Sequence, residues 1–148
     1  MYDTIMVAID ASPTAQRALD EATRLARTLG SKLLIAHVVD NAHVKWDLGA
    51  LNTRQITETL IEQGHKLVAE ATRKAQQAGI QVAAVTTDDP LAYIDIASEL
   101  EKLAQQAGVE LLVLGTHGRR GARRALLGSV AESVVRTSSL PVLLVRSA

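Results

Sequence analysis

Residues 4–13 read Thr4-Ile-Met-Val-Ala-Ile9-Asp10-Ala-Ser12-Pro13, an apolar run that breaks into turn and helix-start chemistry. The run predicts a strand over Thr4 to Ile9. Directly behind it, Ser12 suits an N-cap and Pro13 the first helical position. Ala15, Ala18, Leu19, Ala22, Leu25, Ala26 and Leu29 then recur three and four residues apart, the spacing of one buried helical stripe. Gly30 stands where a left-handed helix end belongs, and Lys32 to Val39 returns to an almost wholly apolar strand.

The same alternation continues outward. Asp40 to Asn52 breaks the pattern for longer than an ordinary connection and contains the single Trp46, a length typical of functional loops. A second helix is expected from Thr53 to Ala78, stopped by Gly79, and a third strand from Ile80 to Thr86. Asp89-Pro90 is read as the opening of a third helix ending at Gly108, followed by a strand over Val109 to Leu114. Ser129-Val-Ala-Glu132 has the spacing of a capping box for a short helix to Thr137, and Pro141 to Val145 closes the pattern as strand five.

Strands that are apolar at consecutive positions, alternating with helices, indicate a parallel sheet covered on both faces. The fold class is α/β, one doubly wound five-stranded parallel sheet. The 148 residues suit a single domain over 1–148, and no repeat or linker interrupts them.

Composition removes several functions. Sixteen basic residues balance sixteen acidic ones, which argues against a general nucleic-acid binder, and 2% aromatics leave almost no base-stacking platforms. With no cysteine there is no disulfide, thiolate metal site or thiol chemistry. The start Met1-Tyr2-Asp3-Thr4 lacks a secretory pattern, and the longest apolar runs fall short of the ~18 residues of a membrane span. A cytoplasmic protein without a membrane segment is expected.

In an open α/β sheet, ligands bind where the winding direction reverses, between the loops leaving two adjacent strands. If strand one is central, with two and three on one side and four and five on the other, those loops start at Asp10 and Gly115. The second contains Gly115, Gly118, Gly121 and Gly128, with Arg119, Arg120, Arg123 and Arg124 and no acidic residue between Gly115 and Ala131. Glycine lets backbone N–H groups approach phosphate oxygens, and the helix start at Ser129 offers unpaired amides to an anion. Each piece also has a plainer reading. The glycines and arginines suit a solvated turn, Ser129 suits an N-cap, Asp10 suits an oriented turn, and His117 suits a loop.

Other chemistries lack their residues. No Lys precedes Ser129 as a P-loop requires, and the first turn has no glycine as a dinucleotide fingerprint requires. His37, His43, His65 and His117 have no partner at metal-ligand spacing, and no nucleophile elbow is present.

The sequence resembles the ATP-binding branch of the universal stress protein family. Its signature, Gly, two residues, Gly, nine residues, then Gly with Ser or Thr, is met by Gly115, Gly118, Gly128 and Ser129. The likeness extends to Ala8-Ile9-Asp10, Ala36-His37-Val38-Val39, Asp89-Pro90 and Ser139-Leu-Pro141 with the strand behind it. The resemblance implies an adenine nucleotide alpha hydrolase-like fold with strand order 3-2-1-4-5. It implies that Ala8 and Asp10 line the base and ribose and that the Val38 backbone reads the adenine edge. Phosphates of ATP, with or without Mg2+, would lie over Gly115, Thr116, His117, Gly118, Arg119, Arg120 and Gly121 and on Ser129, Val130 and Ala131. Ala11 and Asp88 depart from frequent family glycines.

The family likeness also implies a homodimer through Val142 to Val145, and an apolar edge strand independently favours pairing. The expected role is regulatory nucleotide binding in a stress response, with weak ATP hydrolysis at most. The alternatives are a nucleotide-independent interaction module and a slow ATPase in which His117 or Asp10 positions water.

Overall fold

The computed structural model describes residues 1–40, 53–87, 95–117 and 127–146. Among the described residues five strands and four helices alternate: β1 (Thr4–Ala8), α1 (Pro13–Leu29), β2 (Lys32–Val38), α2 (Thr53–Gln76), β3 (Val82–Thr87), α3 (Ile96–Gln106), β4 (Leu111–Gly115), α4 (Ser129–Thr137) and β5 (Val142–Val145). All four strand pairings are parallel, in the order β3-β2-β1-β4-β5. Because β1 is central, the chain winds outward in both directions and the reversal falls between β1 and β4.

The two-residue period of the strands divides the core. Ile5, Val7, Leu33, Ile35, Leu111 and Val113 face α1 and α2, where they meet Ala18, Leu19, Ala22, Val68 and Ala71. Met6, Leu34, Ala36, Val38, Leu112 and Leu114 face α3 and α4, against Ala97, Leu100, Ala104, Ala131 and Val134. Helix positions facing the sheet are largely alanine, so α1 and α3 can lie close without aromatic filling.

Local chemistry accounts for most boundaries. Ser12 caps α1, its Oγ accepting from Ala15 N at 3.1 Å, and Gly30 ends the helix at φ 72°. Gly79 and Gly108 likewise adopt positive φ behind α2 and α3. Most element ends fall within one or two residues of the sequence expectation, and three differences have a visible cause. The strand expected from Ile80 begins at Val82, after Gln81 O has accepted from Leu33 N. The observed cap of α3 is Asp95, whose Oδ2 accepts from Ser98 N and Oγ, while the Asp89-Pro90 opening lies outside the described residues.

The third difference concerns Ser129. Gly128 is the N-cap of α4, and Ser129 is already the first helical residue. There is no capping box. Glu132 pairs with Arg136 at 2.7 Å instead of reaching back, because the one-residue shift moves it off the N3 position that the motif needs.

Candidate functional site

β1 ends at Ala8, but its neighbours run on, and the gap beyond Asp10 is walled by β2 on one side and β4 on the other. The last rungs are Ala8↔Ala36 and Ala8↔Leu114. On the β2 side, Lys32 N and Ala36 O bond the β1 chain, at Asp3 O and Ile9 N, whereas Leu33 N and Val39 N bond the β3 chain. A strand residue points its N–H and C=O to the same side, so even-numbered β2 residues address β1. Val38 therefore aims both groups at the space β1 has vacated, with its side chain buried on the opposite cluster from α1.

Asp10, half-buried, sits at the bend. Its Oδ1 accepts from Ser12 N at 2.8 Å, an Asx turn that steers the chain into α1. Oδ2 has no hydrogen bond among the described residues. The turn reading of Asp10 thus uses only half of the carboxylate.

The β4 side is stitched to the start of α1. Thr14 Oγ1 donates to His117 O, and Ser12 Oγ donates to the same carbonyl at 3.4 Å. Beneath them, a Cβ on Gly115 would lie 2.9 Å from Thr14 Cβ and Oγ1 and 3.0 Å from its carbonyl carbon. Gly115 is accordingly required by helix–strand packing. Thr116 Oγ1 and His117 Nδ1 are 2.9 Å apart, and Nε2 of His117 is buried without a partner among the described residues. Thr116 is only 6% exposed, and its hydroxyl lies against the His117 ring.

Helix α4 begins against the same wall, since Gly128 N donates to Thr116 O at 2.7 Å. The two ends of the glycine-rich segment are therefore in contact. The amides of Ser129, Val130 and Ala131 occupy the first helical turn, where no intrahelical acceptor exists. Ser129 is exposed, and its hydroxyl has no hydrogen bond among the described residues. Among the described residues no cluster of three His, Asp or Glu side chains could hold a metal ion, and no helix is long and apolar enough to cross a membrane.

Residues 1–146 match the universal stress protein family. The chain belongs to that family. It is 31% identical over 153 aligned positions to universal stress protein YxiE of Bacillus subtilis, covering 99% of this chain and 100% of the relative. The solved structure of MJ0577, a universal stress protein of Methanocaldococcus jannaschii, superposes with TM-score 0.83 at 26% identity, over 100% of this chain and 98% of the other. A universal stress protein crystallised in complex with cAMP superposes with TM-score 0.69 at 26% identity, over 99% and 98% of the two chains.

Within this universal stress protein the structure brings Ala8, Asp10, Val38, Gly115, Thr116, His117, Gly128, Ser129, Val130 and Ala131 to the carboxyl end of the sheet. Gly118, Arg119, Arg120 and Gly121 lie outside the described residues. Sequence reasoning missed Thr14 and assigned His37 no role. Thr14 follows the helix-opening proline like any small polar residue, so nothing in the spacing marks it as the contact of Gly115. His37 bonds Ile9 O at 2.8 Å, a contact that no local pattern announces.

Proposed function

We propose that the crevice between β1, β2 and β4 binds an adenine nucleotide, ATP by preference, and that occupancy alters the surface this universal stress protein offers to partners. The carrying observation is the bond from Gly128 N to Thr116 O, which joins the ends of the segment with complete Gly115, Gly118, Gly128, Ser129 spacing. That closure supports a phosphate cradle whose floor is the first turn of α4, where free amides and the helix dipole favour an anion. Arg119 and Arg120 would add screened attraction to the phosphates, and Mg2+ would offset part of their charge.

The remaining groups suit the rest of the nucleotide. The Val38 amide and carbonyl form a donor and acceptor pair matched to an adenine edge, Asp10 Oδ2, without a hydrogen bond among the described residues, suits a ribose hydroxyl, and Ala8 leaves space beside them. A family relative at 26% identity binds cAMP, which carries the same base and ribose. The Gly115 to Thr14 packing gives that glycine a role without any ligand, so the phosphate reading leans on Gly118, Gly121 and Gly128.

The test is to denature the purified protein and look for released adenine nucleotide, then to titrate ATP, ADP and AMP by calorimetry. One nucleotide per chain with ATP tightest is expected. Absence of both released nucleotide and binding heat would leave an interaction module of the same fold.

We also propose one domain over 1–148 acting as a homodimer through β5. Val142 to Val145 are all half-buried at the sheet edge, and pairing two copies antiparallel would satisfy backbone groups that an edge strand leaves open. Sedimentation at micromolar concentration should give a dimer, and a monomer there rejects that pairing.

A further inference from the structure

We infer that His37 is a positioning residue that stops the β1–β2 ladder one rung early and so keeps the Val38 backbone open to an adenine edge. The inference rests on the nucleotide reading above and adds a residue which that reading does not use.

The alternation of β2 identifies the rung at issue. After Ile9 N donates to Ala36 O at 2.9 Å, a parallel ladder would continue with Val38 N donating to Ile9 O. Among the described residues that bond is not made. Ile9 O instead accepts from His37 Nδ1 at 2.8 Å. A carbonyl only accepts, so Nδ1 carries the proton of this bond.

The direction of the ring matters as much as the bond. Odd-numbered β2 residues face α1 and α2, so His37 draws the Ile9 carbonyl toward that face and out of the plane where Val38 N would meet it. Helix α2 makes room for this at Gly64. A Cβ there would lie 2.9 Å from His37 Cδ2 and 3.0 Å from Nε2, with Val39 Cγ2 at 3.5 Å. Gly64 and His37 thus form a matched pair, and alanine at 64 would push the ring off Ile9 O.

The consequence is base selectivity. The Watson–Crick edge of adenine offers an acceptor at N1 and a donor at N6, which complement the Val38 amide and carbonyl. Hypoxanthine reverses both groups, and a site built to hydrogen-bond one pattern rejects the other through unpaired polar groups. Sealing Val38 N onto Ile9 O would remove the discrimination while leaving the phosphate end of the crevice intact.

Two measurements test this. In ligand-free protein, the Val38 amide should exchange with solvent far faster than the Ala36 amide by NMR, and in His37→Leu or Gly64→Ala it should become protected. By calorimetry, each variant should lose about three- to tenfold in ATP affinity, the scale of one neutral hydrogen bond, with a smaller ATP-to-ITP ratio. Inorganic tripolyphosphate binding should not change, and His37→Asn, which keeps a donor near Ile9 O, should recover much of the ATP affinity. Gly64→Ala retains the histidine and decides the matter if His37→Leu fails to fold. A Val38 amide already protected in the unsubstituted protein, or equal losses for ATP and tripolyphosphate, would overturn the role of His37. Failure of the unsubstituted protein to bind ATP would instead overturn the nucleotide reading, while the exchange data still report on the ladder.

Discussion

Gly115→Ala separates a packing glycine from a phosphate-binding one. Gly115 does not have positive φ, so alanine carries no backbone strain there and the whole cost is steric. The added methyl would sit 2.9 Å from Thr14 Cβ and Oγ1 and 3.0 Å from Thr14 carbonyl carbon, against the ~3.5–4.0 Å of an ordinary carbon contact. None of these atoms is the free tip of a long side chain. The first turn of α1 must move away from β4, an overpacking cost of about 1–3 kcal/mol. That movement also strains the hydrogen bond from Thr14 to His117 O, adding about 1 kcal/mol.

The expected loss is therefore roughly 2–4 kcal/mol, a large share of the ~5–15 kcal/mol that holds a typical domain together. At this chain length it corresponds to a melting point lower by roughly 4–16 °C. Urea and thermal unfolding followed by circular dichroism at 222 nm measure both quantities. Combining Gly115→Ala with Thr14→Gly removes two of the three close atoms and should cost less than the sum of the single changes. A Gly115→Ala protein within about 0.5 kcal/mol of the parent would refute the packing assignment.

Other expectations contrast the two ends of the site. Ser12→Ala should cost about 0.5–2 kcal/mol of stability through loss of the α1 cap, whereas Ser129→Ala, which removes no cap bond, should leave unfolding unchanged and weaken ATP binding. Gly118→Val should lower ATP affinity while the fold persists, and neutralising Arg119 and Arg120 should flatten the salt dependence of ATP binding; unaltered affinity in the first would count against the cradle. Burial of the Glu101 carboxyl raises its pKa, but hydrogen bonds from the Ser139 and Ser138 hydroxyls, the Ser139 amide and Gln105 together outweigh this and hold it below the usual carboxylate range. A depressed folded pKa stabilises above the unfolded value and loses that stability as pH falls through the folded one. Denaturant titrations between neutral and strongly acidic pH should show a shallower acid decline for Glu101→Gln, and an unchanged slope would remove Glu101 from the account.

Where function and fold use the same physical signal, the sequence was legible. Apolar runs, alanine stripes and the helix-end glycines Gly30, Gly79 and Gly108 respond to burial and to φ alone, so the succession of strands and helices could be read without contacts, whereas the order of strands in the sheet came from the family resemblance. The site was legible only in outline. Gly128 and Ser129 are both good caps, and one residue of shift decides whether the serine hydroxyl serves the helix or faces outward. Gly115 satisfies a phosphate spacing and a helix contact equally well, and the second depends on Thr14, a hundred residues away in sequence. His37 was opaque for the same reason: its meaning lies in Ile9 O and Gly64, which only the folded sheet brings to it.

The central claim is that main-chain groups at the carboxyl end of this sheet receive an adenine nucleotide, and a crystal grown with excess Mg-ATP tests it most directly. The account predicts density for the base against the Val38 amide and carbonyl and for phosphates on the amides of Ser129 to Ala131. A crevice closed by its own side chains, with Val38 N bonded to Ile9 O and no nucleotide density, would contradict it.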